Sequence, residues 1–295
     1  MSPCGPPHPM KKSDSRRPIG VFDSGLGGLT VVRQLRRALP REDFIYLGDT
    51  ARVPYGTKSP ATVRRFACEA VEFLRSQGVK GVVVACNTAT AWALPLLARR
   101  FDLPVFGVVL PGVRTAVART RGRRIGVIAT PATIRSDAYG KSIRQRAPGT
   151  LVVSRACPLL VPLVEEGWQN HPVTRLVLEE YLAPMLREGI DTLVLGCTHY
   201  PLLKRMLRRV AGRRMALVDS AAACAEDVRG QLGALGLLRG GAGGRGSFKA
   251  FVTDDAPQFA AVAGRLLHLK APRARRVDLP AWKDSARRKP RRPAR

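Results

Sequence analysis

Two apolar runs that each end in a cysteine constrain the fold of this chain more than any other feature. Residues 82–88 read VVVACNT, and residues 193–199 read LVLGCTH. Continuous apolar runs of this kind are typical of parallel strands that are buried on both faces. Ligands of open α/β sheets bind outside the carboxyl ends of the strands. Each run is therefore predicted to deliver a thiol, Cys86 or Cys197, into a crevice.

The two runs lie in segments that share one plan. A short apolar strand begins at Ile19 and another at Ile125; 67 residues separate Ile19 from Cys86, and 72 separate Ile125 from Cys197. Strands alternate with helical patterns in both segments, which predicts parallel sheets covered by helices on both faces. The matching spacings indicate an internal duplication. We therefore predict an α/β fold of two pseudo-symmetric three-layer α/β/α domains with mainly parallel sheets and an active site in the cleft between them.

The domain boundaries follow from composition and from the order of the predicted elements. Both ends of the chain are rich in Pro, Lys and Arg without apolar periodicity, which predicts disorder. The closing strand and helix are expected to return and complete the first half. In chain order the prediction is a disordered basic tail over 1–17, a first domain over 18–109 plus 221–268, a second domain over 110–220, and a disordered basic tail over 269–295.

The net charge of +28 raises the question of nucleic-acid binding. Residues 1–18 carry a net +3 and residues 269–295 a net +9, so +16 remains for the body, mostly on arginines scattered over predicted helix surfaces. The sequence has no zinc-finger spacing, no RNP-type strand and no basic stripe interleaved with aromatic residues. These absences argue against nucleic-acid binding as the main function.

Cysteine usage and the N-terminal sequence narrow the class of protein further. Six cysteines are spread along the chain without a C-x-x-C spacing, which favours free thiols over a zinc site or disulfides. Residues 1–17 lack the apolar region of a secretory signal, and no apolar run approaches the ~20 residues that cross a bilayer. We expect a cytoplasmic protein.

A glycine-rich turn, DSGLGG, follows the first strand at residues 23–28. Its glycines do not match the G-x-G-x-x-G spacing of a dinucleotide site. The turn still offers the Asp23 carboxylate, the Ser24 hydroxyl and backbone amides at a strand's carboxyl end, where α/β ligands bind. Asp and Ser also favour helix capping, and capping is compatible with a binding role.

The residues that follow the two cysteines supply further polar groups. A helix N-terminus after each strand gives a positive local potential that favours a thiolate. Asn87, Thr88 and Thr198 bring side-chain donors that can hold a carboxylate or a developing enolate oxygen. His199, next to Cys197, titrates near neutral pH and can exchange a proton with the thiol.

Two opposed thiols suit one reaction better than its alternatives. A nucleophilic hydrolase needs one thiol and a base, so a second thiol would be surplus. A redox pair normally lies close in sequence. Two proton carriers on opposite faces of a carbon atom permit racemisation or epimerisation without a metal or pyridoxal. Asp23 could then anchor a substrate ammonium group or help Cys86 lose its proton.

Four motifs resemble those of the glutamate racemases of the aspartate/glutamate racemase superfamily. They are GVFDSGLGG at 20–28, VPYG at 53–56, ACNTA at 85–89 and GCTHYP at 196–201, and the similarity runs from about Ile19 to Leu267. The resemblance implies that Cys86 and Cys197 are the acid/base pair and that Asp23 and His199 assist them. It implies a substrate site made of Asp23, Ser24, Tyr55, Gly56, Asn87, Thr88, Thr198 and His199. Glu165 resembles a further acidic helper.

The resemblance also implies a function. It predicts interconversion of L- and D-glutamate without a cofactor, to supply D-glutamate for peptidoglycan, by a protein that we expect to be a homodimer. The nearer alternatives are an aspartate or hydantoin racemase and a decarboxylase; two cysteines argue against single-thiol decarboxylation. A different class, a protein that contacts DNA or a topoisomerase through its basic tails, has no supporting motif.

Overall fold

The computed structural model describes residues 12–241, 244–267 and 273–281, which form ten strands and eleven α-helices. The strands are β1 (Ile19–Asp23), β2 (Phe44–Gly48), β3 (Gly81–Val84), β4 (Val105–Gly107), β5 (Arg124–Ala129), β6 (Leu151–Ala156), β7 (Thr192–Gly196), β8 (Ala216–Asp219), β9 (Phe248–Val252) and β10 (Ala274–Arg276). The helices are α1 (Leu29–Ala38), α2 (Pro60–Ser76), α3 (Asn87–Arg100), α4 (Val109–Arg119), α5 (Pro131–Ser136), α6 (Ala138–Arg146), α7 (Leu160–Glu165), α8 (Pro172–Arg187), α9 (Lys204–Ala211), α10 (Ser220–Ala234) and α11 (Ala256–Leu267).

The strands form two sheets with parallel pairing throughout. The first has the order β10-β9-β2-β1-β3-β4 and the second the order β6-β5-β7-β8. The four strands β2-β1-β3-β4 therefore repeat in the order of β6-β5-β7-β8, which agrees with the duplication inferred from the spacings. The predicted fold class, mixed α/β with two mainly parallel sheets, is confirmed. The division of the chain at residues 109 and 220 stays a prediction.

The strand register determines which residues reach the same edge. Ile19 of β1 pairs with Gly81 of β3, and Ile125 of β5 pairs with Thr192 of β7. Five residues after Gly81 comes Cys86, and five residues after Thr192 comes Cys197. By the same count the two cysteines occupy equivalent positions at the carboxyl ends of the two sheets.

The central strands are buried on both faces, as their apolar runs predict. In β3, Val83 belongs to one hydrophobic cluster, while Val82 and Val84 belong to another on the opposite face. The cluster that contains Val83 also contains Leu193 and Leu195 of β7. One continuous core thus extends from the first sheet to the second.

Helix α2 covers one face of the first sheet. It begins after Ser59, whose Oγ accepts a hydrogen bond from the amide of Thr62 at 3.2 Å. Its buried face carries apolar residues at helical spacing, among them Val63, Phe66 and Val71. This helix anchors the wall of the site described below.

Parts of both segments that the sequence predicts to be disordered, 1–17 and 269–295, have regular secondary structure. Residues Lys12–Arg16 form a short 3-10 helix, and β10 adds to the edge of β9. The amide of Val277 donates to Val252 at 2.8 Å. These contacts use backbone groups, which apolar periodicity does not reveal. Residues 1–11, 268–272 and 282–295 lie outside the described part. The closing strand β9 pairs with β2, as expected.

A buried ion pair ties the N-terminal segment to this fold. Lys80 is fully buried, and its Nζ donates to Glu42 and to the carbonyl oxygens of Ser15 and Leu237, both at 2.8 Å. The second carboxylate oxygen of Glu42 accepts from the amide of Arg239 at 2.8 Å.

In the described part of the chain, no helix has the length and apolar character to cross a membrane.

We predict that Lys80→Met lowers the free energy of unfolding by about 3–5 kcal/mol, since it leaves the Glu42 carboxylate buried without its cation. Urea denaturation measures the change. Arg75→Met is the control, because Arg75 pairs with Glu72 at the exposed surface, where a pair contributes at most about 1 kcal/mol. Equal losses in the two variants would contradict the structural role of Lys80.

Candidate active site

A cavity of about 240 Å³ lies where the carboxyl ends of the two sheets meet. Ser24 follows β1, Cys86 follows β3, Thr130 follows β5 and Cys197 follows β7, and all four line the cavity. The remaining wall comes mainly from residues 53–57 and from the region of α7. Its volume lies below the ~300–1,000 Å³ of sites for drug-sized ligands, so it suits a small molecule.

Cys86 occupies the N-cap position of α3. Its Sγ accepts a hydrogen bond from the amide of Ala89 at 3.5 Å, and the residue is 5% exposed. Burial and the neighbouring Asp23 carboxylate raise the pKa of the Cys86 thiol to about 12, although a hydrogen bond from Ser24 opposes the change. Cys86 is therefore a thiol near neutral pH in the unliganded protein.

Asp23 lies behind the cavity rather than on its surface. It is fully buried, and its carboxylate accepts hydrogen bonds from the amide of Gly25 at 3.0 Å and from the Thr198 hydroxyl at 3.4 Å. Burial raises its pKa, while the charge of His199 acts in the opposite direction. Of its two predicted roles, this position favours proton exchange with Cys86 over an anchor for a substrate ammonium group.

Cys197 has a different neighbour. Its Sγ lies 3.8 Å from Nδ1 of His199, whose Nε2 lies 2.9 Å from Oε1 of Glu165. Burial disfavours the charged ring, yet the hydrogen bonds to Cys197 and Glu165 raise the pKa of His199 to about 10. His199 is therefore an imidazolium at neutral pH, and a cation beside a sulfur atom stabilises the thiolate.

The glycine-rich turn packs directly against the second cysteine loop. A Cβ atom on Gly27 would lie 2.4 Å from Oγ1 of Thr198 and 2.5 Å from Nδ1 of His199, so only glycine fits there. The hydroxyl of Thr30 contacts the carbonyl oxygen of Thr198 at 2.9 Å. The turn is thus one of the contacts that join the two halves of the site.

Asn87 and Thr88 present polar groups that tertiary contacts orient. Oδ1 of Asn87 accepts a hydrogen bond from the Tyr139 hydroxyl at 2.6 Å, whereas its buried Nδ2 has no partner. A buried donor without an acceptor is costly, so it is suited to an incoming acceptor. The hydroxyl of Thr88 lies 2.9 Å from those of Thr130 and Thr133.

Tyr55 and Gly56 belong to the cavity wall over residues 53–57, which contacts Thr130. The Tyr55 hydroxyl donates to Asp49, which does not line the cavity. A Cβ atom on Gly56 would lie 2.7 Å from Cβ of Thr130, so the backbone there closes against the second half of the chain.

The structure brings the sequence-predicted residues together with one exception. Nine of the ten line the cavity, as does Glu165, whereas Asp23 stands behind it. Sequence reasoning missed Thr130, Thr133 and Tyr139. The internal duplication could have identified Thr130, because it occupies the position in the second half that Ser24 occupies in the first. No sequence pattern identifies Thr133 or Tyr139, since their roles depend on contacts between distant segments.

The other described cysteines are Cys68, Cys157 and Cys224, which are buried away from the cavity lining. Burial raises the pKa of Cys157 and of Cys224 to about 12, so both are inert thiols. Within residues 12–241, 244–267 and 273–281, no group of three or more His, Cys, Asp or Glu side chains is arranged to hold a metal ion.

Comparison with known proteins relates this geometry to a family. The sequence pattern of the family described as Asp/Glu/Hydantoin racemase matches residues 19–228. Glutamate racemase from Geobacter metallireducens is 50% identical over 266 residues, which cover 90% of this chain and 98% of that protein. Glutamate racemase from Neisseria meningitidis serogroup A is 49% identical over 259 residues, covering 88% and 95%.

Solved structures agree with the sequence comparison. The crystal structure of glutamate racemase from Thermus thermophilus in complex with β-chloro-D-alanine matches with a TM-score of 0.82 at 49% identity, covering 90% of this chain and 98% of that chain. Glutamate racemase from Francisella tularensis in complex with D-glutamate matches with a TM-score of 0.83 at 38% identity, covering 91% and 100%. The chain therefore belongs to the Asp/Glu/hydantoin racemase family of enzymes.

Proposed function

We propose that this protein is a glutamate racemase that interconverts L- and D-glutamate by two-base proton transfer at Cα. The observation that carries the proposal is the presence of Cys86 and Cys197, one from each sheet, in a single small cavity. Relatives named glutamate racemase, at about half identity over most of this chain, support the choice of substrate. D-glutamate made in this way would supply peptidoglycan synthesis.

The two sulfur atoms have different neighbours, which suit them to opposite roles in one direction of the reaction. Next to the His199 imidazolium, Cys197 acts as the thiolate that removes the α-proton from one face of the substrate. Cys86, a thiol held by burial and by Asp23, gives its proton to the opposite face. The reverse reaction exchanges these roles. After one turnover Cys197 carries the substrate proton and Cys86 lacks one, so the loss of a proton from Cys197 to solvent and the gain of one by Cys86 restore the starting states.

The intermediate carries negative charge that the cavity has to stabilise. The unpartnered Nδ2 of Asn87 and the hydroxyls of Thr88 and Thr198 are donors that can meet the substrate carboxylate as charge develops on it. Ser24 stands on the Cys86 side. Tyr55 and Gly56 begin a one-turn 3-10 helix, whose first amides have no partner within the turn and can meet the second carboxylate of glutamate.

The homodimer, the cytoplasmic location and any contact of the basic tails with polyanions remain predictions from the sequence. The nearest alternative activity is racemisation of aspartate, because the family description includes both amino acids.

We predict that the purified protein changes the circular dichroism of L-glutamate and of D-glutamate toward zero without any added cofactor. L-aspartate should react at least about tenfold more slowly, because a shorter side chain loses contact with one wall of the cavity. A faster reaction with aspartate would make aspartate the substrate instead of glutamate. No reaction with either amino acid would reject the proposed function.

Replacement of either cavity thiol is expected to abolish catalysis. Cys86→Ser and Cys197→Ser should each lower kcat/KM for glutamate by about 100-fold or more, since a hydroxyl is a far weaker acid than a thiol. Cys224→Ala is the control, because that thiol is buried away from the cavity. Racemisation at the wild-type rate in either serine variant would exclude the two-base assignment.

The raised pKa of His199 predicts a pH-dependent contribution to stability. The pKa rises from 6.5 to about 10 on folding, so the contribution is complete below pH 6.5, declines as pH rises, and is lost above about pH 10. His199→Gln should therefore lower the free energy of unfolding at about pH 6 and have a smaller effect at about pH 10, as measured by urea denaturation. A pH-independent difference would contradict the charged state assigned to His199.

A further inference from the structure

One buried carboxylate joins the segment that leads into the cavity wall to three other parts of the chain. Asp49 is fully buried and follows β2 directly. Its carboxylate accepts hydrogen bonds from Nε of Arg52 at 2.7 Å, from Oγ1 of Thr253 at 2.9 Å and from the Tyr55 hydroxyl. The amide of Asp49 donates to the carbonyl oxygen of Asp23 at 3.0 Å. The same residue thus contacts the cavity wall, β1 and the end of β9.

Arg52 connects this carboxylate to helix α2. Its Nη1 donates to Glu69, and its guanidinium lies 4.0 Å from the centre of the Phe66 ring. Its Nη2 is buried without a hydrogen-bond partner. A buried donor left unpaired costs free energy, which indicates that the remaining contacts determine where the guanidinium lies.

Tyr55 is held from both sides as well as at its hydroxyl. Its ring lies 6.1 Å from that of Phe22 and 5.6 Å from that of Phe66, between centroids. Only 1% of the residue is exposed. Because Gly56 follows it and closes against Thr130, the position of the Tyr55 ring fixes that of the adjacent wall.

We propose that Asp49 is a positioning residue, which holds the cavity wall over residues 53–57, and that Thr253 couples strand β9 to that wall. Neither side chain lines the cavity, so both act through Tyr55 and its neighbours. Thr253 lies beyond residues 19–228, the part that the family pattern matches. The inference rests on the proposed function for its kinetic readout, because the wall would contact the far end of glutamate.

The kinetic consequence follows from where the wall stands. The two sulfur atoms find their hydrogen-bond partners in Ser24, Ala89 and His199 rather than in this wall, so the wall would contact the substrate equally before and during proton transfer. Loss of such uniform binding raises KM and leaves kcat nearly unchanged. A displaced wall should also lower the preference for glutamate over aspartate, because the length of the cavity would no longer be fixed.

The test removes one hydroxyl and changes little else. Thr253→Val keeps the shape of the side chain and deletes two hydrogen bonds, one donated to Asp49 and one accepted from the amide of Ala51 at 2.9 Å. Its matched control is Thr120→Val, which likewise deletes one bond to a carboxylate, Asp191 at 2.7 Å, and one from a backbone amide, Arg124 at 3.3 Å, away from the cavity lining. We expect Thr253→Val to raise KM for L-glutamate by about 2–10-fold, with kcat within about twofold of wild type. Thr120→Val should leave KM unchanged.

A double variant tests whether the effect passes through Asp49. In an Asp49→Ala background, where no side-chain oxygen is left to accept from Thr253, Thr253→Val should raise KM by less than it does in the wild-type background. An unchanged KM in Thr253→Val, an equal rise in Thr120→Val, or full additivity with Asp49→Ala would each overturn the proposal.

A measurement that needs no activity separates this proposal from the proposed function. Amide hydrogen exchange over residues 53–57, followed by mass spectrometry, should be faster in Thr253→Val than in wild type and unchanged in Thr120→Val. Equal exchange in all three proteins would overturn the positioning role. An inactive wild type with the expected exchange pattern would reject the proposed function and retain the positioning role.

Discussion

The site depends on one constraint, the parallel register that brings the carboxyl ends of β1, β3, β5 and β7 to a shared cavity. Each central strand is buried on both faces. A shift of its register by one residue would turn every apolar side chain toward the opposite face of the sheet. The same burial leaves only the strand ends available for polar groups. The duplicated arrangement of strands thus places one thiol from each sheet in the same cavity.

The two halves share a plan but differ in the chemistry around each sulfur. Cys86 has the buried Asp23 carboxylate behind it, whereas Cys197 has an imidazolium that Glu165 supports. This difference gives the two sulfur atoms unlike electrostatic surroundings in the same cavity. Gly27 keeps the two environments in contact, because any larger residue there would displace His199.

Local patterns in the sequence predicted the strands, the duplication and the meeting of the motifs in one site. Apolar runs and their spacings determine those features. Contacts between distant segments were not predictable in this way. Examples are the Tyr139 hydroxyl on Asn87, the Tyr55 hydroxyl on Asp49, and β10, which pairs through its backbone. The break between α5 and α6 is a further example, because the left-handed φ of 52° at Asp137 occurs at a residue other than glycine.

Solvent isotope exchange tests the central claim, that two thiols act on opposite faces of one carbon atom. The protein would be incubated with L-glutamate in D₂O and the Cα hydrogen followed by proton NMR and chiral separation. The account predicts that D-glutamate formed early carries deuterium at Cα, whereas the remaining L-glutamate keeps its proton. Early product that retains the substrate proton, or substrate that gains deuterium as fast as product forms, would contradict the two-base account.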